Sequence, residues 1–242
     1  PPGEVAGTPH QAEGAGVPAL AWIGREFRDG TAQYLITRPG TVRTDRFYDC
    51  CGAIWYDSDV PAKMAADISL DRQAAPGLVL SRSGWALSDS VVCLRSGGPT
   101  NHEHADRNSV IFSAYGERLL TDPLHADYSY KQPKWLLRLT KAHTAVLING
   151  QGHVYQDGKE GTMASLARAE LIGYEVGLNW MLATSDATDA YRRANLPVTQ
   201  VIRTLLFLKP DILVLYDHIA LDKLMTGQIR FQAFNDDGLG RV

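Results

Sequence analysis

The chain has 242 residues, 45% hydrophobic and 21% charged, a composition ordinary for globular proteins. That is long enough for one large all-β domain or two small ones, with a sizeable core. A net charge of −3 and a pI of about 6.2 argue against a global pull toward nucleic acid or an anionic membrane.

No run approaches the roughly 20 apolar residues of a membrane span. The opening "PPGEVAGTPHQAEGAGVPAL" has neither the basic nor the apolar region of a signal peptide. It also lacks an initiator Met, which suggests a piece of a longer chain. Its Gly, Ala and Pro read as a flexible lead-in over residues 1–19. "LAWIGREFRDGTAQYLITR" carries apolar residues at Trp22, Ile23, Phe27, Tyr34 and Leu35, the pattern of short helices broken at Gly30. "RFYDCCGAIWYDSDVP" ends in the breaker Pro61. Cys50 and Cys51 are adjacent and Cys93 sits in an apolar run, so buried free thiols are favoured over a structural disulfide.

From residue 77 the pattern changes. "GLVLSRSGWALSDSVVCLRSG" alternates or runs apolar between Gly and Ser. "SVIFSAYGERLLTD" predicts a hairpin turning at "YGER", and "TAVLINGQGHVY" predicts another at Asn149-Gly150. "SLARAELIGYEVG" fits helix or strand, and "RTLLFLKPDILVLYDHI" predicts two strands split by the turn Lys209-Pro210-Asp211. "QIRFQAF" predicts one more strand. Many short strands with regular turns predict a mainly β fold, an antiparallel β-sandwich.

"GGPTNHEHADRNSVIF" holds the densest chemistry. In an extended segment His102 and His104 project to one face, since residues two apart share a face. Neutral imidazole is a common ligand for zinc-like metals, but two histidines make an incomplete site. Asp122, ending "RLLTD", and His143, opening "HTAVLI", are further candidates at strand ends. The plainer reading makes Asp122 a turn residue before Pro123 and His104 a hydrogen-bonded side chain. Asp106 and Asn108 read as loop-shaping residues. Cupins also place His-x-His on a strand but follow it closely with a Glu; here the next Glu after His104 is Glu117.

The ordered pieces "NHEHADRNSVIFSAYGERLLTD", "DYSY", "RLTKAHTAVLINGQG", "SDATDAYRR" and "VIRTLLFLKPDILVLYDHI" resemble the heparinase II/III-like domain of polysaccharide lyases, over residues 77–235. The resemblance implies a supersandwich-type β-sandwich over 77–242. Residues 1–76 would be a linker and the last helices of an incomplete (α/α) toroid. It implies a structural Zn2+, or another divalent metal, held by His104, Asp122 and His143. His102 becomes a catalytic histidine and Tyr130 a cleft tyrosine of the same site, with Tyr128 as the rival. Asn101, Arg138 and Tyr128 become substrate-binding residues. Thr144 stands where the family commonly has Asn. Lys141 is a further cation for carboxylate or sulfate, while Arg107 reads as a solvated surface charge.

Such lyases cleave uronate polysaccharides, of glycosaminoglycan or alginate type, by β-elimination. The rest of the site would come from a toroid in upstream chain or a second chain. A uronyl C5-epimerase and a non-catalytic sugar-binding sandwich with a structural metal stay open as alternatives. An anionic polysaccharide substrate favours the periplasm or the extracellular space, with the cytoplasm as the alternative.

Overall fold

The computed structural model describes residues 16–37, 52–65, 68–75, 77–99, 103–123, 126–127, 129, 131–155 and 166–233. Two compact units emerge, Pro1–Ser69 with Asn235–Val242, and Leu70–Phe234. In the first, α1 (Gly16–Glu26) and α2 (Gly30–Thr37) are the expected short helices. The break lies just before Gly30: Arg28 is left-handed at φ 51°. The Asp29 carboxylate caps α2, accepting from the amides of Thr31 at 2.8 Å and Ala32 at 3.1 Å. No helix among the described residues is long and apolar enough to cross a membrane.

The second unit is β-rich. Strands β1 (Asp71–Ala74), β2 (Leu78–Arg82), β3 (Val91–Arg95), β4 (Val110–Ala114) and β5 (Glu117–Leu120) form an antiparallel sheet in chain order. A second sheet has the order β10 (Ile212–Leu221), β9 (Val198–Leu208), β8 (Trp180–Asp186), β7 (Glu170–Val176). The first sheet begins before residue 77 because β1, the polar "DRQA", pairs along β2 from Asp71↔Ser81 to Ala74↔Leu78. Such a strand gives no apolar alternation to read. "ELIGYEV", which fitted helix or strand, is strand β7.

The two sheets share one apolar core. Val79, Val92, Leu94, Val110, Phe112 and Ala114 of the first meet Met181, Ala183, Leu205 and Phe207 of the second. The facing alternate residues make this a sandwich, and each large buried side chain contributes about 1.5–3 kcal/mol. Cys93 is a buried free thiol on β3; Cys50 and Cys51 lie outside the described residues.

Turn chemistry worked unevenly. Tyr115 and Gly116, at φ 59° and 78°, join β4 to β5 as expected. Asn149 and Gly150 also turn left-handed, at φ 51° and 75°, yet no second strand follows over the described residues 151–155. Beyond a single bridge from Ile148 to Gln151, β6 (Val146–Ile148) pairs instead with the distant β11 (Gly227–Ile229). All three β6 residues are buried. Val146 and Ile148 pack in a second apolar cluster with Ala190 and Tyr191 of α3 (Thr188–Arg192) and Val198 and Val201 of β9. The long-range burial outweighed the local turn signal.

Candidate functional site

The loop between β3 and β4 is built around an inward-turned carboxylate. Glu103 lies between the two histidines in sequence and turns its side chain into the interior. There it is 1% exposed, bonded by Arg95 at 2.8 Å and by Arg107. Arg107 is fully buried, correcting the expectation of a solvated charge. It also donates to Asp106 at 2.8 Å and to the carbonyls of Gly98 and Ala167 at 3.0 and 3.2 Å. A buried guanidinium requires such a ring of acceptors, because an unpaired buried charge is heavily penalised. Sequence gave one hint, the i,i+4 spacing from Glu103 to Arg107, and nothing about burial. Burial raises the Asp106 carboxyl, against the opposing pull of Arg107.

The loop then turns sharply. Asn108 is left-handed at φ 62° and its amide donates to the Arg95 carbonyl at 2.7 Å. The Ser109 amide closes a turn on the Asp106 carbonyl at 2.9 Å.

His104, Asp122 and His143 come together from three parts of the chain. Asp122 follows β5. His143 follows a 3-10 turn, Thr140–Ala142, rather than opening the strand, which starts at Val146. The rings of His104 and His143 lie 5.2 Å apart, tilted by 54°. Asp122 Oδ1 is 3.0 Å from His143 Nδ1 and accepts from Ser109 Oγ at 3.0 Å. The His104 imidazole is pushed down to about 4 by burial first, then by His143 and Arg138, which keeps it in the neutral, lone-pair form.

Arg138, expected at the substrate, is buried. Its guanidinium donates to the carbonyls of Asp127 at 2.8 Å, Ala126 at 3.2 Å and Glu103 at 3.4 Å. It therefore ties the segment after Asp122 to the histidine loop. Tyr155 also donates to the Glu103 carbonyl, at 2.9 Å. His102, Asn101, Tyr128 and Tyr130 lie outside the described residues.

His143 is fully buried, and its Nε2 has no hydrogen-bond partner among the described residues. With Nδ1 engaged by Asp122, Nε2 is the atom free for a metal. Imidazole nitrogens suit a zinc-like ion; Asp122, expected as a third ligand, lies instead against Nδ1 of His143, where it orients that ring. Among the described residues, no group of three or more His, Cys, Asp or Glu side chains stands together so as to hold a metal ion. The arrangement is a histidine pair with a carboxylate orienting one member.

Sandwich and site together define a β-sandwich domain with a polar, histidine-bearing loop system outside the strands. Residues 73–237 match the model of the heparinase II/III-like C-terminal family, and the chain belongs to that family. Among solved structures it is similar to a heparan sulfate lyase from Pedobacter heparinus, with 16% identity for the mutant form and a TM-score of 0.67 over 92% of this chain. It is also similar to a heparinase III, with 14% identity and a TM-score of 0.55 over 72% of this chain. The chain spans 30% of the first and 26% of the second. No curated protein sequence matches.

Proposed function

We propose that this chain supplies the β-sandwich half of the active site of a polysaccharide lyase acting on uronate-containing polysaccharide. The observation that carries the reading is the His104–His143 pair, oriented by Asp122, immediately beside the sequence position of His102 in a chain of this family. Residues 1–76 belong, on this reading, to the last helices of a toroid that provides the other half. An outward-facing compartment, periplasmic or extracellular, suits a polymeric substrate.

The C5 proton of a uronate is weakly acidic while the adjacent carboxylate keeps its charge. The site must neutralise that carboxylate before a base can act. Abstraction of the C5 proton then forms the C4–C5 double bond as the C4–O4 bond breaks, and O4 leaves with a proton from an acid. His102 is assigned to neutralisation or proton transfer and Tyr130, with Tyr128 as its rival, to the proton relay. Asn101 contacts substrate, and Arg138 contributes by fixing the Glu103 carbonyl next to His104.

A zinc-like ion held by His104 and by Nε2 of His143, with Asp122 bonded to Nδ1 behind the ring, would supply a clip that fixes the loop carrying His102. On that arrangement Asp122 steers the His143 ring, His104 offers a neutral nitrogen, and the Glu103–Arg107 pair keeps the loop from turning over.

The test is activity of the full-length protein on heparan-type and alginate-type polymers, read as the ultraviolet absorbance of the unsaturated uronate product. His102→Ala should abolish it and keep the metal; His104→Ala should abolish it and lose the metal. Solvent deuterium at C5 without chain cleavage would instead identify an epimerase. Function unchanged in His102→Ala would leave a sugar-binding sandwich.

A further inference from the structure

The inward row of β9 runs Val201, Arg203, Leu205, Phe207. Three of these are core residues; the second is a guanidinium with no solvent exposure. A charge at a strand's core position breaks the pattern that built the strand, and such breaks gather at functional sites.

Its bonds show what the break achieves. Asp217, directly opposite on β10, receives Nε and Nη2 at 2.8 Å each, a fork that neutralises the charge. The remaining donor, Nη1, reaches two backbone carbonyls at 2.6 Å, those of Asn108 and Thr144. Asn108 precedes Ser109, whose hydroxyl holds Asp122. Thr144 follows His143. The two segments are otherwise far apart in sequence, and one nitrogen joins them. Around this bridge lies a small polar layer: Asn108 Nδ2 donates to the Ser185 carbonyl at 3.1 Å, and Ser185 Oγ to Ser96 Oγ at 2.7 Å.

We propose that Arg203, held by Asp217, is a positioning residue that sets the spacing of His104, Asp122 and His143 by clamping the backbone next to His143 to the turn whose Ser109 holds Asp122. Its functional consequence rests on the metal-clip reading above; its geometry rests only on the bonds just given. The fork explains why lysine would not serve. A single ammonium lacks the planar set of donors that faces Asp217 on one edge and two carbonyls on the other.

The experiment uses three variants of the chain, Arg203→Lys, the double variant Arg203→Met/Asp217→Leu, and the core control Met181→Ala. The double variant removes both charges at once, so no buried charge is orphaned and only the carbonyls of Asn108 and Thr144 lose a donor. Two quantities are read: zinc affinity by competition with a chelator, and the nuclear Overhauser contact between the His104 and His143 rings. Arg203→Lys and the double variant should each weaken zinc by at least about tenfold, the scale of lost outer-shell support, and lose the ring contact. Met181→Ala should melt earlier and keep both. Wild-type affinity together with an intact ring contact in the double variant overturns the proposal. If the unmodified chain shows the ring contact but binds no zinc, the metal reading falls; loss of that contact in the double variant still supports the clamp, and its survival sinks it.

Discussion

Asp122 Oδ1 meets His143 Nδ1 at 3.0 Å while His143 Nε2 is buried with no partner among the described residues. The carboxylate thereby chooses the tautomer: Nδ1 carries the hydrogen and Nε2 the lone pair. Asp122→Asn removes that choice and can present a donor to Nδ1. Zinc affinity should fall roughly 10- to 100-fold, the range for loss of a histidine's carboxylate support. Titration calorimetry checks this, and an unchanged affinity would remove Asp122 from the site.

The metal-free chain should lose stability on mild acidification. His104 sits at about 4 against an ordinary 6.5, and His153, buried and accepting from the Arg107 amide at 3.3 Å, at about 3. Burial is the first cause of both shifts. The unfolded chain binds these protons first, so stability is complete above about 6.5 and falls as pH drops toward 4 and then 3. Part-exposed His104 contributes the smaller share after solvent screening. Urea midpoints from pH 7 to pH 4 should decline, and His153→Gln should flatten the decline; a flat wild-type curve contradicts the assignment.

Glu103→Gln should be among the most damaging single changes in the sandwich. It leaves Arg107 buried with much of its countercharge gone, at a cost of about 3–5 kcal/mol. Thermal or urea unfolding reads it. Asp189→Asn is the matched control, breaking the exposed i,i+4 pair with Arg193, and should cost no more than about 0.5 kcal/mol.

Cys93 should resist alkylation in the folded chain. Burial pushes its thiol up to about 12, with Asp122 next among the causes, so little thiolate forms near neutral pH. Mass spectrometry after iodoacetamide should find it unmodified until denaturant is added; rapid native labelling would contradict its buried placement.

Much of the strand inventory was legible because it rests on local rules. Alternation or apolar runs between turns marked β2, β3, β4, β9 and β10, and Tyr115-Gly116 marked its turn by needing left-handed backbone. The Asn149-Gly150 turn was legible too, but the partner of β6 was not, since β11 lies some eighty residues away (227 − 148 = 79) and only burial selects it. Polar β1 had no periodic signal at all.

For the site, the residue types and the shared direction of alternate residues came from sequence; the use of each charge did not. Arg107 looked like a surface cation and is enclosed, Arg138 looked like a substrate contact and holds three carbonyls, and Arg203 looked like part of a strand motif and joins two loops. A guanidinium reads alike in sequence whether it faces water or the interior. Its role is decided by which acceptors the folded chain brings around it, and those come from segments brought close only by closure of the two sheets. Sequence alone determined the β-sandwich class, its principal turns and the histidine chemistry on offer. Tertiary packing decided which histidines meet, which nitrogen is left free, and which buried charges hold them there.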